Sequence, residues 1–202
     1  MAANTTALTE DALEGAVLAM YTDVATQPGK EYHFWSGRGA AELFGYRADW
    51  LDGAPPPAVD SFAGVGNPHR EIEIAAEARV VDLGSGAGLD AFIAARRAGP
   101  RGQVIGVDLN DTMLAKARAL AAQAGLSTVE FRKGRIEEVP APDGAADLVI
   151  SNGVINLSFR KKQVMAEAYR VLRPGGRASL TDVVSDAIIP ASIASDPKLW
   201  AS

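Results

Sequence analysis

Val80-Val81-Asp82-Leu83-Gly84-Ser85-Gly86-Ala87-Gly88-Leu89-Asp90 decides the fold of this chain. Two β-branched residues lead into a glycine-rich turn, and a helical pattern, Ala91 to Ala98, starts directly after it. That order reads as a buried strand, a tight loop and a helix N-terminus. Gly84, Gly86 and Gly88 can take positive φ, and without a Cβ they let a ligand lie against the backbone. The amides at the helix start favour negative charge, so a ligand that is anionic, or has an anionic end, is expected here. A dinucleotide fingerprint would place its third glycine at position 89, which is Leu89. Here the glycines alternate instead, and the strand carries an acid, Asp82, just before the loop. A second strand, Gln103-Val104-Ile105-Gly106-Val107-Asp108, ends in a carboxylate 24 residues after Gly84. A carboxylate at that tip can accept two hydrogen bonds from the neighbouring hydroxyls of a ribose.

Composition narrows the class. The 202 residues are 48% hydrophobic with a net charge of −5, which suits one globular domain with a small appendage and makes a nucleic-acid backbone an unsuitable partner. No apolar run approaches the roughly 20 residues of a membrane span. Met1-Ala2-Ala3-Asn4-Thr5-Thr6 lacks the basic and apolar regions of a signal peptide, so a cytoplasmic protein is expected. With no cysteine there is no disulfide, thiolate metal site or cysteine nucleophile. Two histidines, His33 and His69, are too few for a zinc site, and no metal is expected.

Outward from the glycine loop, Thr9 to Val24 reads as an amphipathic helix capped by Thr9, with Leu13, Val17, Met20 and Val24 on one face. Gln27-Pro28-Gly29 stops it. Glu31 to Arg38 is dense in aromatics, including Trp35, and Ala40 to Phe44 suits a short helix. Pro55-Pro56-Pro57 predicts a stiff, extended connection. The glycine-rich Ser61-Phe62-Ala63-Gly64-Val65-Gly66-Asn67-Pro68 that follows suits either a lid or a packing arm. Beyond it, Asp111 can cap a helix from Thr112 to Ala124, stopped by Gly125. Thr128 to Arg132 and Asp147 to Asn152 read as strands, Ser158 to Leu172 as a helix closed by Pro174-Gly175-Gly176, and Arg177 to Val183 as a fifth strand. Strands alternating with helices predict an α/β fold: a parallel sheet with helices on both faces and the ligand at the strands' carboxyl ends. The division expected is an N-terminal arm with lid-like loops (1–76), a Rossmann-like core (77–184) and an extension (185–202).

Asp82 to Gly88, Gly106-Val107-Asp108-Leu109, Ser151-Asn152 and Leu172-Arg173-Pro174-Gly175-Gly176 together resemble class I S-adenosylmethionine-dependent methyltransferases. Within that class, Gly134-Arg135-Ile136-Glu137, Val149 to Ser158 and Ser61 to Pro68 are similar to arsenite methyltransferases. The resemblance implies S-adenosyl-L-methionine as cofactor and a small-molecule methyl acceptor. It implies that Gly84, Ser85, Gly86 and Gly88 take the methionine part, with Asp82 ordering the loop or meeting the amino group. Asp108 would bind the ribose, Leu109 and Met113 would pack on the adenine, and Arg135, Ile136 and Glu137 would border it. Asn152 would close the crevice near the methyl group. Trp35, His69 and Gly153 are candidates for the acceptor side, and no residue stands out as a catalytic base. In-line attack on an activated methyl needs alignment more than acid–base groups.

Two departures from the family stand out. Arsenite methyltransferases carry a cysteine at the position of Gly153, since soft thiolates hold trivalent arsenic, and this chain has none. The parent fold also has two further strands after the fifth, so β-edge protection by residues 185–202, or by a second subunit in a homodimer, is expected. The alternative reading is a cofactor-binding protein without catalysis, or a fragment of a longer methyltransferase.

Overall fold

A computed structural model describes residues 9–186 and Asp196. Five strands, β1 (Arg79–Leu83), β2 (Gln103–Asp108), β3 (Val129–Lys133), β4 (Ala146–Asn152) and β5 (Leu172–Thr181), form one sheet in the order β3-β2-β1-β4-β5. Every pairing is parallel, as the alternation of strands and helices requires. Alternate side chains of β1 enter different cores. Val80 packs with Phe92, Leu114 and Ile150 on one face, and Val81 with Val107, Val149 and Val164 on the other. Burial on both faces explains why the strand sequences read as nearly unbroken apolar runs. The strand order reverses between β1 and β4, so the loops leaving their carboxyl ends diverge and open a crevice.

Three helices cross between strands: α5 (Leu89–Ala98), α6 (Asp111–Gln123) and α7 (Lys161–Val171). To name the rest in chain order, α1 spans Glu10–Thr26, α2 Gly37–Leu43, α3 Ala48–Gly53 and α4 Pro56–Asp60. Thr9 caps α1 as expected, its Oγ1 accepting from the Ala12 amide at 3.3 Å.

Several local expectations change. The prolines at 55–57 do not form an extended spacer. Pro56 opens α4, because a missing N–H is no loss in a helix's first turn and the fixed φ suits it. The cap of α6 is Asn110, whose Oδ1 accepts from Thr112 and Met113 at 2.9 and 3.1 Å, so Asp111 is the first helical residue. Helix α7 starts at Lys161 rather than Ser158, after a short 3₁₀ turn at Ile155–Leu157. β5 starts at Leu172 and runs through Pro174-Gly175-Gly176, with a register break opposite Ala146 and Leu148. A bulge of this kind absorbs a proline at a sheet edge. Among the described residues β5 pairs only with β4; the cover expected from 185–202 falls almost wholly outside the described residues.

Candidate functional site

The crevice at the carboxyl ends of β1, β2 and β4 is a cleft of about 1250 Å³, counting its open mouth. Its floor is the loop after β1, where Gly84, Gly86 and Gly88 take φ of 72°, 52° and 96°, as their spacing suggested. The Gly84 and Ser85 amides donate to the Val107 carbonyl at 2.8 and 3.0 Å. Gly86 donates to Asp108 Oδ2 at 2.8 Å, and Asp108 Oδ1 accepts from the Asn110 amide at 2.8 Å. Of the three loop amides only that of Gly86 meets a carboxylate, and at the helix start the Ala91 amide meets that of Asp82. Three engaged amides leave a poor cradle for a diphosphate, while Asp108 itself lines the cleft. Burial raises the Asp108 pKa, opposed by the amides of Asn110, Gly86 and Leu109.

Asp82 lines the same floor and is buried, with its Oδ2 unpartnered. Burial first, then the charges of Asp90 and Asp108, push its pKa well above the usual carboxylate range. The Ala91 amide opposes that rise, but an oxygen left without a partner in a buried carboxylate is costly unless a cation meets it. The sign of the linkage follows. A carboxyl whose folded pKa is raised loses stability as pH rises through the window above its unfolded value of about 4. Asp82→Asn should therefore raise the melting temperature of the ligand-free protein at neutral pH and flatten its decline with rising pH. Thermal melts across that range check it; a lower melting temperature at neutral pH would contradict the assignment.

The opposite wall is α1, read from the sequence as an amphipathic helix with no part in the site. Leu13, Glu14, Val17, Leu18 and Tyr21 all line the cleft. Leu18 and Tyr21 widen the stripe that holds Leu13 and Val17, and that extra width was the available signal. Asn110 Nδ2 ties α1 to α6 through the Leu18 carbonyl (3.0 Å) and Thr22 Oγ1 (2.9 Å). Burial, with Asp108 and Asp182 nearby, pushes the Tyr21 phenol up to about 12, so it stays protonated and cannot act as a base near neutrality. Leu109, buried Met113 and buried Ile136 line the same cleft as Asp108. Arg135 also borders the cleft, in a 2.6 Å ion pair with Glu14 of α1, and Glu137 accepts a hydrogen bond from Ser158.

The far end is walled by Phe62, Ala63, Gly64, Asn152, Gly153 and Val154. Gly153 has φ 73°, and a Cβ there would lie 3.2 Å from the Val65 side chain, so the position matched to a family cysteine is strained for other residues and tight against Val65. Trp35 is 69% exposed and His69 is buried beside Trp50 and Tyr46; neither lines the cleft. Of the three acceptor-side candidates, only Gly153 stands at it. Asp90, Tyr21 and α1 were not singled out from sequence, yet Asp90 and Tyr21 stand in the wall.

This geometry defines a class of protein. A family model described as "Methyltransferase domain" matches residues 74–202, and the chain belongs to that family. Among curated proteins it is 45% identical over 157 residues to an arsenite methyltransferase of Halobacterium salinarum, covering 78% of this chain and 40% of that protein. It is 40% identical over 129 residues to one from Aquipseudomonas alcaligenes, covering 60% and 37%. Among solved structures it is similar to CrArsM, an arsenic(III) S-adenosylmethionine methyltransferase from Chlamydomonas reinhardtii, with 36% identity, a TM-score of 0.62, and coverage of 82% of this chain and 55% of that one. The chain spans about two fifths of the length of these curated relatives. Its fold is the Rossmann-like fold of class I methyltransferases.

Proposed function

We propose that the chain binds S-adenosyl-L-methionine and transfers its methyl group to a small-molecule acceptor in the manner of the arsenite methyltransferases it resembles. The observation that carries this reading is the convergence of Asp108 and the unpartnered Asp82 Oδ2 on one acid-lined cleft. When bound, the cofactor supplies an already activated sulfonium methyl group. The chain's residues then have binding and alignment to do. Asp108 accepts from the ribose hydroxyls while Gly86 and Asn110 hold it still. Asp82 meets the ammonium group, Gly84, Ser85, Gly86 and Gly88 bed the methionine part, and Leu109, Met113 and Ile136 flank the purine, with Arg135 and Glu137 at its edge. Phe62, Ala63, Gly153 and Val154 exclude water from the methyl end, which strengthens every charge interaction inside. On this reading residues 1–76 form the arm that walls the cleft, 77–184 the cofactor core and 185–202 an extension.

Without a cysteine in the sequence, the acceptor cannot be held by protein thiolates. Arsenic would have to arrive as a thiol conjugate, or the acceptor is a small organic nucleophile. A transfer assay with radiolabelled cofactor across free arsenite, arsenite–glutathione and small organic acceptors tests this. Turnover is expected on a conjugate or an organic acceptor; methylation of free arsenite in thiol-free buffer would contradict it. The same reading places the protein in the cytoplasm. It also pairs two chains along β5, whose outer edge has no partner strand among the described residues, and a monomer in sedimentation velocity would remove that part. No described helix is long and apolar enough to cross a membrane.

A further inference from the structure

Asn152 ends β4 at the cleft, and its carboxamide is wholly engaged by the chain. Its Oδ1 accepts from the Val65 amide (2.9 Å), the Gly66 amide (3.1 Å) and Thr181 Oγ1 (3.0 Å). Its two Nδ2 hydrogens are shared among the Gly66 carbonyl (2.9 Å), Tyr46 Oη (3.1 Å) and Asp90 Oδ2 (3.2 Å). The partners fix which atom is oxygen and which nitrogen: backbone amides surround one, a carbonyl and a carboxylate the other. Behind it, Tyr46 donates to Asp90 Oδ1 at 2.6 Å, and His69 Nε2 lies 3.2 Å from the same oxygen without good alignment. Asp90 sits in the first turn of α5, directly after the glycine loop, where a carboxylate suits the helix end. Residues 62–66 have no strand or helix of their own, so a single side chain performs for them what a neighbouring strand would.

We propose that Asn152 is a positioning residue: held in orientation by Asp90 and Tyr46, it sets the 62–66 wall over the methyl end of the cleft and spends none of its hydrogen-bonding groups on the cofactor. The proposal rests on the cofactor reading above for what the wall faces, and departs from the role that the family resemblance gave Asn152. Close packing supports it. A Cβ on Gly64 would lie 2.3 Å from Asn152 Nδ2, so the wall approaches the carboxamide as closely as backbone allows.

Residue-resolved hydrogen exchange on the full chain tests this, paired with calorimetry using S-adenosylhomocysteine. Tyr46→Phe removes one hydroxyl that does not line the cleft. It should speed exchange at the Val65 and Gly66 amides by about fivefold, the scale of one hydrogen bond, while affinity for S-adenosylhomocysteine stays within about threefold. Asn152→Ala should speed the same two amides by more than about tenfold. Amides of β1 and α5 should keep their wild-type rates in both variants. Unchanged exchange at Val65 and Gly66 in either folded variant would overturn the proposal. So would a uniform rise across the sheet, or a large loss of affinity in Tyr46→Phe. If Asn152→Ala does not fold, Tyr46→Phe decides alone. Failure of the wild-type protein to bind S-adenosylhomocysteine would instead defeat the cofactor reading, and the exchange result would still stand or fall by itself.

Discussion

Asp108→Ala should lower the affinity for S-adenosylmethionine by about 5- to 150-fold, or about 1–3 kcal/mol, the scale of lost hydrogen bonds to a charged group. Two effects act together. The proposed acceptors for the ribose hydroxyls disappear, and the Gly86 and Asn110 amides, now bonded to the carboxylate at 2.8 Å each, lose their partner. The floor of the cleft and the cap of α6 are therefore loosened at one stroke. Asp108→Asn should fall between wild type and Asp108→Ala, since one acceptor oxygen survives. Since burial raises the Asp108 pKa, removing this carboxyl also relieves some desolvation, so stability should change less than affinity. Titration calorimetry on both variants checks the order. Equal affinity in wild type and Asp108→Ala would mean that the ribose lies elsewhere.

Gly88→Ala should lower the melting temperature by about 5–15 °C, the equivalent of roughly 2–5 kcal/mol in a domain of this size. Gly88 has φ 96°, so a Cβ there carries a strain of about 1–2 kcal/mol. It would also lie 2.7 Å from Phe131 Cζ and 2.9 Å from Phe92 Cε2. Those two rings form an edge-to-face pair, centroids 5.5 Å apart, in the buried core and cannot step aside; overpacking of this kind costs about 1–3 kcal/mol. Gly125→Ala separates the two contributions. Its φ is 64° but nothing lies within 4 Å of the new Cβ, so only the backbone strain should register. Calorimetric melts showing Gly88→Ala no worse than Gly125→Ala would contradict the packing argument.

The core was legible because its physics is local. Val80 and Val81 had to be buried on both faces, and the alternating glycines had to turn, so β1, the loop and α5 followed from eleven consecutive residues. The errors fell where two local rules compete. Asn110 and Asp111 are both good caps, and the one whose side chain also reaches α1 holds the position. Pro55-Pro56-Pro57 suits an extended spacer or a helix start, and the buried Ala58 and Val59 behind it favour the helix. The walls of the cleft were harder to see, since they depend on partners far apart in the chain. Tyr21 and Asp108 are separated by a whole arm, and Asn152 reaches Val65 and Gly66 across 87 and 86 positions. His69 illustrates the converse. A histidine near the glycine-rich segment suggested an acceptor contact, but the packing of Trp50 and Tyr46 encloses it behind Asp90.

The claim beneath the whole account is that Asp82, Asp108 and the glycine loop hold one sulfonium nucleoside at the tip of the sheet. Titration calorimetry of the wild-type chain against S-adenosylmethionine, S-adenosylhomocysteine and a nicotinamide dinucleotide tests it most directly. One-to-one binding of the first two and none of the third is expected. Binding of the dinucleotide, or of neither sulfur compound, would contradict it.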